Sequence, residues 1–431
     1  MAIGTPINAV SFNAALKEIT PVDYIQQQIL LGAKDPLYNL MDKKYDAGGY
    51  QWRLPVATST NVRVGANFAA AQATNSNAKN QAFLITYSQI YAVASWSGPV
   101  LQQSMGDKNA FESVLTQEMD MAIAALNNKI ATQVYRTGTG SVTQVNPAAN
   151  VSATSSGGTQ YPLQLLNSYD VLMFEVGDVV VFSAADGGAL RTGTQTITGI
   201  DLSNGNLLAA TVWSTAITGL AVTDYVYRCS ADASNGSTAQ VMAGFLAWCP
   251  ASSTAITSGD SFFGVNRSSY KSKLAGLYYD NTTLQDSIAE ALVNACSLLQ
   301  AAGARDKFDT IILHPQEMKK LVNDTSSKVV IGNASGGIAP DKARIGLSNF
   351  SLLTDFGPVK IEQSIFAVPG IGFLASSSTW HMLSSGKPGV QEVDGIMALR
   401  VSTDDAYEAR LAAVNIAIGC NAPGWNMSVR F

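Results

Sequence analysis

The sequence predicts an α+β chain built from several parts, and three observations predict it. Strand patterns enclose an Asn- and Ala-rich stretch near the N-terminus. One apolar repeat at helical spacing then runs from Asp107 to Arg136. Short strand patterns recur between turn residues in the middle of the chain. A length of 431 residues corresponds to roughly two to four domains, each large enough for a core.

The elements follow in order. A polar, uncharged arm opens the chain. Thr20 is a natural N-cap, Pro21 suits the first helical position, and Val22, Ile25 and Ile29 share a face that Gly32 can terminate. That face needs a surface to lie on, and docking on its own domain is the plain account. From Tyr45 the period changes to two: Tyr50 to Val56 and Asn61 to Val64 are short strands, and Ala82 to Trp96 is a long one with Phe83, Ile85 and Tyr87 alternating with polar residues. Between them, Gly65 to Asn80 (GANFAAAQATNSNAKN) cannot form a core of its own. The reading is a projecting hairpin, and a two-stranded ribbon is marginal alone in water.

Gly106-Asp107 supplies a break and an N-cap. Phe111, Leu115, Met119, Ile123, Leu126 and Ile130 then recur with Val114 and Val134 at three- and four-residue steps, and Gly138 is placed to stop the helix. It would be about 45 Å long. After a Ser/Gly/Asn-rich connector (Asn146 to Pro162), the strands VVVF, RTGTQTITGID, NGNLLAATVW and TDYVYR predict a small barrel or sandwich over about Leu163 to Arg228. Thr283 caps a second helix, with Asp286 in its first turn, Leu284, Ile288, Leu292, Ala295 and Leu299 on one face, and Gly303 at its end. Thr310 to Leu313 is a strand running into His314-Pro315, where a helix carrying Met318 and Leu321 begins. Val359 to Phe366, Ile396 to Val401 and Leu411 to Ile418 read as strands.

Composition excludes several functions. Lys and Arg total 27 against 32 Asp and Glu, a net charge of −5, and only 14% of residues are charged beside 47% hydrophobic. Such a surface is rich in Ser, Thr, Asn, Gln and Gly, and association hides it at little electrostatic cost. No Lys/Arg block exists to neutralise phosphates. No secretory signal opens the chain, and Gln363 to Trp380 is too broken by Pro369, Gly370 and Gly372 to span a bilayer. Cys229, Cys249, Cys296 and Cys420 lack CxxC spacing and fit reduced thiols.

No catalytic motif emerges. Gly138-Thr139-Gly140 follows a helix rather than a strand and has Thr143 where a dinucleotide loop needs glycine. His314, preceding Pro315, reads as a helix cap, and His381 beside Trp380 as a packed strand residue. Asp404-Asp405 with Glu408 and Arg410 could hold a metal, but a solvated turn is the simpler account. No cofactor, metal site or enzyme activity is expected, and the Asn-x-Ser/Thr triplets have no expected use without a secretory signal.

This order of elements resembles the major capsid proteins of tailed bacteriophages, which share the Hong Kong 97-like fold. The local matches are FFGVNRSSY at Phe262 to Tyr270, the helix from Thr283 to Gly303, and KFDTIILHPQEMKKL at Lys307 to Leu321. The resemblance implies an N-terminal arm (1–44), an E-loop hairpin (45–105), a P domain with a spine helix (106–162), an inserted β domain (163–228), a P-domain return (229–260), an A domain (261–395) and C-terminal strands of the P and A domains (396–431). It implies a shell subunit that assembles through pentamers and hexamers, in a virion put together in the host cytoplasm. Scaffolding, portal and decoration proteins are the implied partners; DNA is enclosed without sequence-specific binding, and no membrane is involved. Arg53, Arg63, Asn67, Phe68 and Lys79 would contact adjacent subunits, while the helix face from Phe111 to Val134 would be core. Some members cross-link through a hairpin Lys, an Asn and a catalytic Glu. Lys79 lies in the hairpin but no Asn or Glu matches, so non-covalent cementing is expected. Two other readings stand beside this one: a tail or adhesin subunit holding a glycan on Trp213, Tyr225 and Tyr227, and a non-viral nanocompartment shell. An intracellular hydrolase lacks a nucleophile.

Overall fold

The structure, a computed structural model, describes residue 16 and residues 35–59, 65–73, 79–104, 108–152, 160–234, 240–252, 255–303, 309–326, 350–354, 357–392 and 395–431. The expected arm helix at 20–32, the strand at 61–64 and the Gly106-Asp107 cap lie outside these residues.

Two long elements organise the centre. The helix Lys108–Tyr135 packs across the strands Ser88–Ser97 and Ala406–Cys420. Gly138, at φ 84°, turns the chain away after the helix as an L-residue would do only under strain. The long strand is the hub of the first sheet: Ala409 sits between Ala94 and Ala398, and Ala412 between Tyr91 and Gly389. Trp380–Leu383 pairs with its end, and Asp42–Lys44 adds a parallel strand outside that. A register shift after Ala413 is absorbed by Asn415 at φ 53°, a left-handed position that Asn tolerates.

The expected single strand from Ala82 to Trp96 is two strands. Lys79–Thr86 pairs with Gln51–Ser59 in a two-stranded ribbon, whereas Ser88–Ser97 joins the first sheet. The cause is a phase change in the apolar pattern. Phe83 and Ile85 turn inward at odd positions, but Ser88, Ile90, Ala94 and Trp96 do so at even ones. One continuous strand would put these sets on opposite faces, so the pairing breaks at Tyr87.

A second sheet has the order Ser141–Gln144, Tyr225–Tyr227, Val179–Ser183, Gln195–Asp201, Asn206–Ala209, Tyr161–Gln164. Its two outer strands meet through the Val145 to Leu165 bridge and the bonds Asn146 N–H to Gln164 O (3.0 Å) and Leu166 N–H to Gln144 O (2.8 Å). It encloses its own core, including Leu163, Phe174, Phe182, Ile197, Trp213 and Val226. Trp213 lies in the short helix Trp213–Ala216 rather than on a strand, with its indole N–H on Tyr161 O (2.9 Å).

The third sheet runs Leu277–Asp280, Met427–Arg430, Ile371–Ala375, Thr310–Leu313, Gly357–Gln363, Phe350–Thr354. The helices Ile288–Ala301 and Pro315–Ser326 cover a core of Leu292, Leu299, Ile311, Leu313 and Leu321. The first of these starts later than expected. Ser287, not Thr283, is the N-cap, because Ser287 and Glu290 form a reciprocal capping box. Asn281 holds the preceding turn through Asp286, leaving Leu284 exposed outside the helix.

Candidate assembly interface

The ribbon has a root, and the sequence run FFGVNRSSY builds it. Ser261–Phe262 pairs with Val265–Asn266 around a two-residue turn, Phe263-Gly264, with φ of 48° and 80°. Positive φ at both positions is what a tight hairpin turn of the primed type requires, and for Phe it is a strained choice. The Phe263 carbonyl, so presented, accepts the Leu84 N–H at 2.9 Å. Phe83 meets Trp248 (5.0 Å, 81°) and Phe262 (6.2 Å, 71°) edge-on. Arg267 lies beneath with its guanidinium 4.1 Å from the Phe262 ring centre, and it bonds Asp260 and Ala247 O at 2.7 Å each. On the ribbon's other strand, Trp52 rests on Gly419 of the long strand; a Cβ there would stand 2.5 Å from the indole.

The two faces of the ribbon therefore differ. Leu54, Val56, Phe83 and Ile85 are buried in the main core. Gln51, Arg53 and Pro55 point outward, and Leu84, opposite Arg53, is 41% exposed. Asn67 and Phe68 are exposed where the tip helix Phe68–Ala73 begins, Phe68 at 82%. Lys79 opens the second ribbon strand opposite Ser59. Arg63 lies outside the described residues. Nine residues at about 3.3 Å each give the strand Gln51–Ser59 a reach of roughly 30 Å.

Leu115, Met119, Ile123, Leu126 and Ile130 of the long helix are all buried in the main core, and Phe111 stands in the same helix. Within the expected hairpin segment, sequence reasoning did not single out the exposed side chains of Tyr50 (87% exposed) and Leu84, nor those of Tyr91 and Val93 on the strand beside the ribbon. The signal was available for Leu84: three consecutive apolar residues, Phe83-Leu84-Ile85, cannot all face one side of a strand.

Buried carboxylates tie the parts together. Asp35 caps the helix Pro36–Leu40 through the N–H groups of Leu37 and Tyr38 (3.1 Å each). It also accepts the hydroxyls of Tyr135, at the end of the long helix, and Ser364. Burial raises its pKa against these bonds, and it raises Tyr135 further. Asp186 accepts the hydroxyls of Thr137, Thr139 and Ser141, fixing the exit of the long helix to the second sheet.

The other singled-out residues lie in plain surroundings. Trp213 and Tyr227 are buried and Tyr225 is half-buried, so they present no aromatic platform to a sugar. Asp404 and Asp405 occupy an exposed turn, and Glu408 pairs with Arg410. His381 contacts Asp42 (3.4 Å) and Asn421 (3.1 Å). No helix among the described residues is long and apolar enough to cross a membrane.

No protein-family model and no curated protein matches the chain. Among solved structures it is similar to the capsid asymmetric unit of cyanophage A-1(L), at 10% identity and a TM-score of 0.46, over 91% of this chain and 90% of that one. It is similar to the capsid of a native GTA particle at 8% identity and a TM-score of 0.42, over 93% and 90%. It is also similar to the SrpI encapsulin of Synechococcus elongatus at 7% identity and a TM-score of 0.41, over 92% and 87%.

Proposed function

We propose that this chain is a major capsid subunit of the Hong Kong 97-like kind, assembling through pentamers and hexamers into an icosahedral shell around double-stranded DNA. The observation that carries the reading is the two-faced ribbon. Its inner face is socketed on its own body, while Leu84 on its outer face is 41% exposed and Phe68, where the tip helix begins, is 82% exposed. Exposed apolar side chains on a rooted, extended arm gain stability by burial against another copy. Heterologous contacts of this type close into rings when the rotation closes.

In this reading the ribbon is the E-loop, the helix Lys108–Tyr135 the spine, the first sheet the P domain and the third sheet the A domain. The second sheet, drawn from residues 141 to 227, is an inserted domain that starts before Leu163. Arg53, Asn67, Phe68 and Lys79 contact neighbouring subunits, with Leu84 and Tyr50 added to them. The role is structural rather than enzymatic, the setting is the virion, and scaffolding and portal proteins are the partners. Negative-stain microscopy with light scattering on the purified chain tests the proposal. Closed shells, or rings of five and six, are expected alone or on co-expression with a scaffolding protein. A monomer at all concentrations under both conditions overturns it.

A further inference from the structure

His314 ends the strand Thr310–Leu313 and stands immediately before the helix Pro315–Ser326. It is 4% exposed. Its Nδ1 accepts the Gln316 N–H at 3.3 Å, while its carbonyl accepts Met318 N–H at 3.0 Å. The imidazole thus occupies the N-cap position, the place usually filled by Ser or Asp. An Nδ1 that accepts carries a lone pair, so the ring proton belongs on Nε2.

One turn on, Glu317 is 2% exposed. Its Oε1 meets Lys320 Nζ at 3.3 Å, but Oε2 is buried with no hydrogen-bond partner and lies 3.8 Å from the same Nδ1. Two acceptors therefore face each other across one gap, and a buried unpaired carboxylate oxygen is costly. The other groups facing the ring come from two more elements. Tyr169 of the turn Ser168–Met173 packs on it edge-on (5.8 Å, 66°). Asp170 of that turn and Arg136, beyond the long helix, act on it electrostatically and lie 4.0 Å from each other.

We propose that His314 is a proton-operated helix cap, in which a proton taken from solvent onto Nδ1 exchanges the Gln316 bond for one to Glu317. Once protonated, Nδ1 has no lone pair for Gln316 N–H and becomes a donor, and Glu317 Oε2 is the unpaired acceptor in reach. The proton is the only species gained, and no other bond is made or broken. Burial holds the ring towards neutrality, whereas Glu317 and Asp170 favour the charged form and Arg136 opposes it. The switch sits where the second sheet, the long helix and the third sheet meet, so the exchange bears on how Tyr169 seats against the third sheet.

The chain contains two histidines, so 15N labelling of the histidines and glutamines in the full-length protein gives two ring systems, with His381 as internal reference, and makes the Gln316 amide observable. Nitrogen shifts and the Gln316 amide are followed from about pH 8 to about pH 5. His314 Nδ1 is expected unprotonated at the upper end, and protonation should move the Gln316 amide with the same midpoint. Glu317→Gln should lower that midpoint by about one pH unit or more. Lys320→Met, at an exposed position and so safe for folding, should raise it by freeing Glu317. A proton on Nδ1 at neutral pH, a Gln316 amide that does not follow the ring, or a midpoint indifferent to both variants overturns the proposal.

Discussion

Phe83 and Leu84 are neighbours in the chain and should fail in opposite ways. Phe83 is fully buried at the ribbon root, edge-on to Trp248 and Phe262. Phe83→Ala leaves a cavity among aromatic rings that cannot collapse, at a cost of about 4 kcal/mol. An unfolding entropy of about 2.1 cal/mol/K per residue over 431 residues is roughly 0.9 kcal/mol/K, so the melting temperature should fall by about 4 °C. Leu84 points outward, and its exposed 41% amounts to roughly 70 Å². Leu84→Ala should cost the isolated subunit about 1 kcal/mol or less. If a neighbouring copy covers that area, however, the three carbons removed forfeit about 1 kcal/mol per contact, or roughly a fivefold rise in the concentration needed for assembly. Guanidinium unfolding of the dissociated subunit and light scattering of the assembling one read the two quantities separately. Equal destabilisation of the subunit by both variants, or an assembly threshold that ignores Leu84→Ala, refutes the assignment of faces.

Gly419→Ala should drive a methyl into the Trp52 ring and cost about 1–3 kcal/mol. Faster hydrogen exchange at residues 51–56 is the readout, and unchanged protection there contradicts the root as drawn. Asp35→Ala removes an N-cap and two hydroxyl bonds, for an expected loss of about 2–4 kcal/mol in denaturant unfolding. Because burial raises its pKa, Asp35 favours the fold most fully below its unfolded value and loses that contribution as pH rises through the raised folded value. Asp35→Asn should flatten this slope of stability against pH. Burial pushes the thiols of Cys296 and Cys420 up to about 12 and raises Cys249 well above its ordinary value. Burial raises the Cys229 thiol too, but it is only half-buried, so access makes it the thiol that iodoacetamide at about pH 8 should mark first in the native protein. Early modification of Cys420, read by peptide mapping, would contradict its burial.

Elements held by local rules were legible in the sequence. The helix Lys108–Tyr135 follows its apolar period, Gly303 ends the helix at Ala301, and His314 before Pro315 caps as that dipeptide suggests. Local rules also misled where two solutions compete. Thr283 with Asp286 reads as a cap, but the Ser287–Glu290 box closes both bonds, and Asn281 commits the intervening residues to a turn. The split at Tyr87 was written in the shift from odd to even buried positions, yet reading it requires knowing that both strands have a buried face. The ribbon socket was beyond local reading. Phe263 adopts positive φ because its carbonyl meets Leu84, a partner 179 positions away, and nothing within FFGVNRSSY announces that contact. Of the residues proposed for the interface, Arg53, Asn67 and Phe68 are singled out in the sequence by their place in a hairpin, whereas the exposure of Tyr91 and Val93 depends on which side of the first sheet the long helix covers.

The scarcity of charge acquires a structural meaning once the partners are seen. Asp35 and Asp186 serve hydroxyls and caps inside the subunit, Asp224 holds Arg191, Asp260 holds Arg267, Asp232 holds Lys129 and Asp178 holds Arg228. Exposed Asp201 and Asp280 accept from hydroxyls and N–H groups of their own turns. Many of the few charges are therefore committed to joints within one copy, while Leu84 on the outer ribbon face and Phe68 at the tip helix stand exposed, with Arg53 beside Leu84. Contacts made by such a face depend on apolar area, which salt does not screen, rather than on exposed ion pairs, which it does. Assembly should accordingly tolerate a rise from about 0.05 M to about 0.5 M sodium chloride, over which the screening length falls roughly threefold. Its threshold concentration, read by light scattering, should change by less than about threefold. A threshold that climbs steeply with salt would mean that charged groups, Arg53 and Lys79 among them, carry the contact, and the apolar residues of the ribbon would then be accessory to assembly rather than its main adhesive.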